Sequence, residues 1–452
     1  MRPDPSKAPS SDLFRSSLEA ILDPEHELLK LAALIDWERF DDAFGPYYHE
    51  RKGRRGLRTR LMAGLHLLKH MKGLSDEETC AVWRENPYFQ AFCGETHFQH
   101  QLPFDRSSMT RWRKRIGADE MELLLAESLV VAVKTKAVSQ RQLERITINT
   151  TVQTKAVAHP TDSHLIVRAI EWLNRAAKRH GIKLRQSFLR LATRAKREVG
   201  RLLHTGGHKQ GLRWIRKMRT WLGRLTRDIR RKIAGDPALE AAFATALERA
   251  ERIQGQQPGD KDKLYALHAP EIECIGKGKA RTRYEFGCKT SIATTNERCK
   301  GGQFVLGAMA LPGNPYDGHS LAGQIDQVEK MTGASVKRAY VDRGYRGHKI
   351  EREGLDITLS QTRGITSPTI RREMRRRSGI EPVIGHLKAD GHLERNHLAG
   401  TEGDAINAIL CAAGHNMRLL ARWITLLLAV LMAIVHSRPT KNYADHQLAI
   451  AA

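Results

Sequence analysis

Hydrophobic positions along this chain change period several times, and each change predicts an element. The first 140 residues read as helical. Leu61, Leu65 and Leu68 form a short apolar face, and Ser75-x-x-Glu78 has the form of a capping box opening another helix. Asp105-Arg106-Ser107-Ser108 precedes a run from Met109 to Gly117, where Ser107 or Ser108 can cap a short helix and Gly117 can end it. The period falls to two at Arg145 to Val152, with Ile146, Ile148 and Val152 on one face and Thr147, Asn149 and Thr151 on the other. Helical spacing returns in Leu184, Phe188, Leu191 and Ala195 and in Trp214, Met218, Trp221 and Leu222, which predicts two or more helices joined near Thr205-Gly206-Gly207. Tyr284 to Thr294 and Gln303 to Leu311 then read as a hairpin. A helix over Leu321 to Met331, strands over Val336 to Val341 and Ile357 to Leu359, and a helical region from Ser367 to Leu387 follow. This order predicts an α/β protein with a mixed sheet, interrupted after its first strand by a large helical block. Trp423 to Val435 carries no charge, but its 13 residues fall short of the roughly 17–25 of a spanning helix, which predicts a buried helix.

Charge changes this picture most. Lys and Arg number 75 against 50 Asp and Glu, a net charge of +25, so a polyanionic partner is expected. Between Leu165 and Lys232 stand 21 Lys/Arg and three acids, a surplus of 18. This segment can hold a phosphate backbone; a solvated face and a membrane-surface helix are the alternatives. The 109–116 helix carries Arg111, Arg113, Lys114 and Arg115, which suits a helix-turn-helix reader of DNA or, alternatively, a packing or dimerisation helix. The six cysteines form no C-x-x-C pair, so a disulfide scaffold and a zinc finger are not expected and a reducing cytosol fits. The length suits two or three domains, and no apolar signal segment opens the chain.

In so basic a chain, carboxylates at strand ends are informative. Asp342 follows Ala339-Tyr340-Val341 and precedes the Gly-containing Arg343 to Gly347 turn, a position open to catalysis or to turn capping. If Ser367 to Leu387 and its continuation form one helix, Met374, Arg377, Glu381 and Lys388 share a face, with Ile380, Val383, Ile384 and Leu387 on the adjacent one; Pro382 and Gly385 disturb the geometry.

The residues that carry a family resemblance are Ile146 to Gln153, His159 to Ser163, Tyr284 to Lys289, Leu311 to His319, Val341 to Gly347 and Arg375 to Lys388. Together, over roughly residues 20 to 425, they resemble the insertion-sequence-five group of DDE-superfamily insertion-sequence transposases. The family pattern Tyr-x2-Arg-x3-Glu-x6-Lys is met at Arg377, Glu381 and Lys388, with Met374 in place of tyrosine. The resemblance implies a ribonuclease-H-like mixed-sheet catalytic core, a helical N-terminal DNA-binding domain and a large basic helical insertion. It also implies two Mg²⁺ or Mn²⁺ ions, held by Asp342, Glu381 and an aspartate where this chain has Asn149. An amide cannot supply that aspartate's charge. The open readings are a decayed, inactive DNA-binding relic, a residually active enzyme, and rescue by Asp162.

The expected organisation is a flexible N-terminus (1–20), a DNA-binding domain (21–140), the first part of the core (141–164), the basic insertion and linker (165–263), the rest of the core (264–425) and a C-terminal helix and tail (426–452). Arg111, Arg113, Lys114 and Arg115 would read terminal inverted repeats, and Arg377 and Lys388 would hold phosphates. The expected partner is double-stranded DNA, bound by a homodimer in the cytoplasm on the nucleoid, with no membrane. An RNA-processing nuclease of the same fold is the weaker alternative, because no aromatic-rich RNA-binding motif is visible.

Overall fold

A computed structural model describes residues 16–49, 53, 55–257, 259–276, 283–360 and 367–436; the extreme N-terminus through residue 15 and the tail beyond 436 lie outside the described residues. The chain forms two compact units, one from residues 1–153 and 289–452, the other from 154–288.

Among the described residues the first unit opens with nine α-helices: α1 (Leu18–Ile21), α2 (Glu27–Leu34), α3 (Trp37–Phe44), α4 (Thr59–Lys72), α5 (Asp76–Glu85), α6 (Pro87–Phe92), α7 (Ser107–Ile116), α8 (Ala118–Lys134) and α9 (Gln140–Leu143). Ser75 and Glu78 make the reciprocal bonds of a capping box at α5. Neither Ser107 nor Ser108 caps α7: both lie inside it, and Asp105 accepts the Ser107 N–H at 2.8 Å. Gly117, at φ +86°, ends the helix in a backbone region open to glycine. The apolar face read at Leu61, Leu65 and Leu68 is wider than expected, because α4 is buried on every side from Leu61 to Met71.

The first strand, β1 (Arg145–Thr154), leads into the second unit. There α10 (Asp162–Arg179), α11 (Leu189–His204), α12 (His208–Ile233) and α13 (Pro237–Gly255) enclose their own core, with Ile170, Leu173, Met218, Leu222, Phe243 and Leu247 buried. Gly206, at φ +83°, and Gly207 separate α11 from α12. The buried face of α11 is Ala192, Ala195, Val199 and Leu202; Leu191, expected on it, is exposed, and Leu184 and Phe188 precede the helix. A short strand absent from the sequence reading, β2 (Glu273–Gly276), pairs antiparallel with Tyr284–Gly287, the start of β3 (Tyr284–Thr295).

In the first unit β3 continues and pairs antiparallel with β4 (Val305–Leu311). The chain then runs through α14 (Asp317–Thr332), β5 (Arg338–Val341), β6 (Asp356–Leu359), α15 (Pro368–Arg376), α16 (Ile380–Ala389) and α17 (Gly400–His436). The sheet order is β2-β3-β1-β5-β6 with β4 also on β3, and β1, β5 and β6 are mutually parallel neighbours. The fold class is mixed α/β. Both faces of β1 are covered, so its alternation does not appear as one wet and one dry side.

Two of the expected helices differ. A 3₁₀ turn at Arg377–Gly379 separates α15 from α16, so Met374 and Glu381 do not share one continuous helix. Glu373, on α15, is buried and meets Arg145 at 3.3 Å, Arg338 at 3.0 Å and the Tyr340 hydroxyl, which pins α15 to β1 and β5. Trp423 to Val435 is not a separate buried helix. It is the far part of α17, whose first half is covered by α4, α8 and β4 while Leu426, Val430, Leu431 and Met432 face outward at 49–57% exposure. By length and composition α17 could cross a membrane, yet Ile406 to Met417 lie in the core.

The core of this unit rests on close approach and on a buried polar chain. A Cβ at Gly414, mid-α17, would lie 2.5 Å from the His70 backbone carbonyl of α4. Nearby, His66 Nδ1 faces the Met62 carbonyl at 2.7 Å and His66 Nε2 faces Arg113 Nη1 at 3.1 Å; Arg113 forks onto Asp76, which also takes Lys69 at 2.6 Å. A carbonyl needs a donor and a guanidinium an acceptor, so these partners select neutral His66.

Gly414→Ala, which favours an exposed helix by about 1 kcal/mol, should here destabilise by ~1–3 kcal/mol, read as a lower melting temperature. Burial, then Arg113, lowers His66 to about 3, and burial lowers His415 to about 4. The unfolded chain therefore binds more protons below pH 6.5, and stability should be full above that pH and decline toward pH 4, by about 2 kcal/mol per histidine at pH 5. Melting curves at pH 7 and 5 check this; His66→Gln should reduce the difference, and equal curves would contradict it.

Candidate functional site

β1 and β5 pair in parallel with Arg145, Ile146 and Thr147 opposite Arg338, Ala339 and Tyr340. Two residues further along each chain stand Asn149 and Asp342, so the register places them level and on one face of the sheet. The backbone of Asp342 is still extended, and its side chain accepts the Gly344 N–H at 2.8 Å, which shapes the following turn. Glu381 enters from the first turn of α16, whose Ile380, Val383, Ile384 and Leu387 are buried. Asn149 Nδ2 donates to Glu381 Oε1 at 2.9 Å, and Asn149 Oδ1 accepts the Thr150 N–H at 2.9 Å. Each end of the amide thus meets a group of the matching kind.

A residue not expected at the site from sequence lies beside them. Asp317, the first residue of α14, accepts from Thr150 Oγ1 at 3.2 Å and from Lys289 Nζ at 2.8 Å. Lys289 also donates to the Pro315 carbonyl at 2.8 Å. A Cβ on Gly344 would lie 2.9 Å from Asp342 Oδ1 and 3.0 Å from Asp317 Oδ2, so the two carboxylates converge on this glycine. Burial, reinforced by the charges of Asp317 and Asp342, pushes the Tyr345 hydroxyl well above its usual range. The sequence signal for Asp317 was its place in the Leu311 to His319 run, but nothing local marks its neighbours, which stand 25 to 167 positions away. Asp162 belongs to the second unit, where Arg219 takes its Oδ2 at 3.1 Å. Arg377 is half-buried in the 3₁₀ turn, and Lys388 is half-buried near the end of α16.

These donors do not fit a two-ion site as they stand. Two dications close together need several anionic oxygens. Glu381 already accepts an N–H, Asp317 is matched by Lys289, and among the described residues no group of three or more His, Cys, Asp or Glu is arranged to hold a metal ion.

The basic residues of α7 divide by face. Met109, Trp112, Arg113 and Ile116 are buried at spacings of three, one and three. Arg113, 4% exposed and forked onto Asp76, is therefore withdrawn from the surface on which it was expected to meet DNA. Arg111, Lys114 and Arg115 point outward. Arg111 and Arg115 line a groove of about 450 Å³ with Arg55 and Tyr48, and the Arg115 guanidinium stacks 4.8 Å from the Tyr48 ring.

Residues 16–115, which contain α1 to nearly all of α7, match a family model described as "Transposase domain (DUF772)". Over 204 residues, 45% of this chain, the sequence is 51% identical to a Rhizobium meliloti protein described as "Uncharacterized protein ORF8 in nfe locus", 98% of which is covered. No solved structure matches the chain. The chain belongs to the family of this rhizobial protein and, by the domain at its N-terminal end, is transposase-like.

Proposed function

We propose that this chain is a transposase-derived DNA-binding protein that recognises the ends of its own element and has lost the metal chemistry that cuts them. The observation that carries the reading is the bond from Asn149 Nδ2 to Glu381 Oε1 at 2.9 Å. It puts an N–H donor where the resembled family keeps a metal-bridging carboxylate. A ribonuclease-H-like core is supported by the strand order β4-β3-β1-β5-β6, with β1, β5 and β6 parallel. Element ends are read by the outward Arg111, Lys114 and Arg115, and the phosphate backbone is held by the basic second unit. Arg377 and Lys388 hold phosphates near the sheet. The working form is a homodimer on nucleoid DNA, because two ends must be held together.

A second reading, an active strand-transferring enzyme, is favoured by the convergence of Asp317 and Asp342 on Gly344. Single-turnover cleavage of a labelled element-end duplex with Mg²⁺ or Mn²⁺ separates the two. The unaltered chain should bind without cutting, and calorimetry should detect Mn²⁺ binding in Asn149→Asp but not in the parent. Without a dication the same substitution sets two carboxylates at hydrogen-bonding distance, and it should lower the melting temperature at pH 8. Robust cleavage by the parent, abolished in Asp317→Asn, would replace the first reading by the second.

DNA recognition has its own test. Arg111→Ala should cost ~1–3 kcal/mol on the element end and little on random DNA. Four Arg→Ser changes in the 165–232 segment should lower the salt slope on every duplex, by roughly 0.9 for each phosphate that is no longer neutralised. Equal losses for Arg111→Ala on both duplexes would make α7 a reader of backbone alone, and an unchanged slope would remove the second unit from DNA.

A further inference from the structure

The second unit carries a groove of about 510 Å³ that the reading above leaves without a role. One side of it is a stripe of α10: His164, Arg168, Trp172, Arg175 and Arg179, spaced by four, four, three and four residues and so on one helical face. Tyr265 and Arg249 also line it. The Arg249 guanidinium lies 5.8 Å from the Trp172 ring centre, and Arg249 is tied to the Leu267 carbonyl. No carboxylate is among the lining residues. Glu171 pairs with Arg168 at 2.8 Å in an exposed contact that a phosphate can displace at little cost.

The groove thus combines exposed arginines, which suit phosphates, with recessed planar groups, which suit a flat apolar ligand. A duplex offers its phosphates but keeps its bases stacked inside. An acidic peptide offers charge but no plane. A single DNA strand offers both at the repeat of one nucleotide. We propose that this groove binds an unpaired stretch of DNA strand, with phosphates on Arg168, Arg175 and Arg179 and a base stacked against the Trp172–Arg249 pair and Tyr265. The proposal rests on the DNA reading above for its ligand. It goes beyond that reading in giving the second unit a preference for single strands.

Fluorescence anisotropy on the full chain tests it, with a labelled 12-nucleotide oligo(dT) and a labelled random duplex at several salt concentrations. Trp172→Ala should weaken binding of the strand by roughly 5- to 100-fold and of the duplex by less than about twofold, while Trp172→Phe should keep most of the strand affinity. Circular dichroism verifies that each variant is folded. Should Trp172→Ala fail to fold, the surface variant Arg168→Ser/Arg175→Ser should lower the strand's salt slope by about 1.4. Equal losses on strand and duplex, or no loss on either, would overturn the proposal. So would a labelled oligoglutamate that binds as tightly as the strand and is as sensitive to Trp172→Ala, an outcome that points to an acidic protein partner. A parent chain that binds duplex but not strand sinks this proposal alone. A parent that binds neither sinks the DNA reading with it.

Discussion

The pairing on which this architecture depends is the parallel contact of β1 with β5. It joins Arg145–Thr147 to Arg338–Tyr340 across nearly 200 positions of sequence. Parallel neighbours cannot be linked by a tight turn, so a long crossover is obligatory. Here the crossover contains β3, β4, α14 and the whole second unit. A flexible excursion of that length would add little closure cost, since the cost grows only with the logarithm of length. This excursion is folded around its own apolar core, so its residues are ordered by their own contacts. Glu373 reinforces the joint by bonding Arg145 on one strand and Arg338 and Tyr340 on the other. Removing one member of such a buried group leaves uncompensated charge, which costs more than the group contributes over an apolar substitute.

The elements were largely legible in sequence because their signals are local. Period two marks β1, the Ser75–Glu78 box marks α5, and the glycine pair at 206–207 marks the break between α11 and α12. What escaped was either competition or distance. Asp105 takes the Ser107 N–H, so the helix starts at a serine expected to cap it. Arg113 stands four residues after Met109 and three before Ile116, on the buried stripe, and the basic composition of α7 masked that position. Asp317 and Glu373 gain their meaning from partners more than 20 and up to 228 positions away, and no local pattern announces such partners. The outward end of α17 escaped for a related reason: an apolar run states a preference for burial, and only tertiary packing decides whether a surface is there to bury it.

Charge is partitioned by use. In the first unit a few acids are drawn inward: Glu127 and Glu373 are buried, and Asp76 holds Arg113 and Lys69. Glu127 answers Arg39 and Glu373 answers Arg145 and Arg338, so these carboxylates meet cations of the fold itself. In the second unit most of the Lys and Arg side chains of α11 and α12 are exposed, and the buried Asp228 serves the Arg185 N–H and Lys232. Arg201, Arg219, Arg230 and Lys232 find acids within the unit, but 21 Lys and Arg against three acids between Leu165 and Lys232 leave a surplus that weakens the fold through self-repulsion unless an anion is bound. The buried pairs that hold the first unit together therefore differ from the exposed surplus of the second, which is the charge that would attract a polyanion.

The sheet site follows from the same distinction between internal and external partners. A carboxylate at position 149 would face Glu381 as like against like, and the pair would lower its energy by taking up a cation or a proton. Asparagine removes that demand. Its nitrogen satisfies Glu381, its oxygen satisfies the Thr150 N–H, and the neighbouring Asp317 is neutralised by Lys289. Asn149, Glu381, Asp317 and Asp342 each have a partner within the chain at 2.8–2.9 Å. A dication entering this arrangement would share Glu381 with the amide and compete with an ammonium group for Asp317, with one anionic ligand fewer than an aspartate at 149 would supply. Asparagine at 149 thus lets β1 and α16 meet through a matched donor and acceptor, where an aspartate would set two carboxylates against each other.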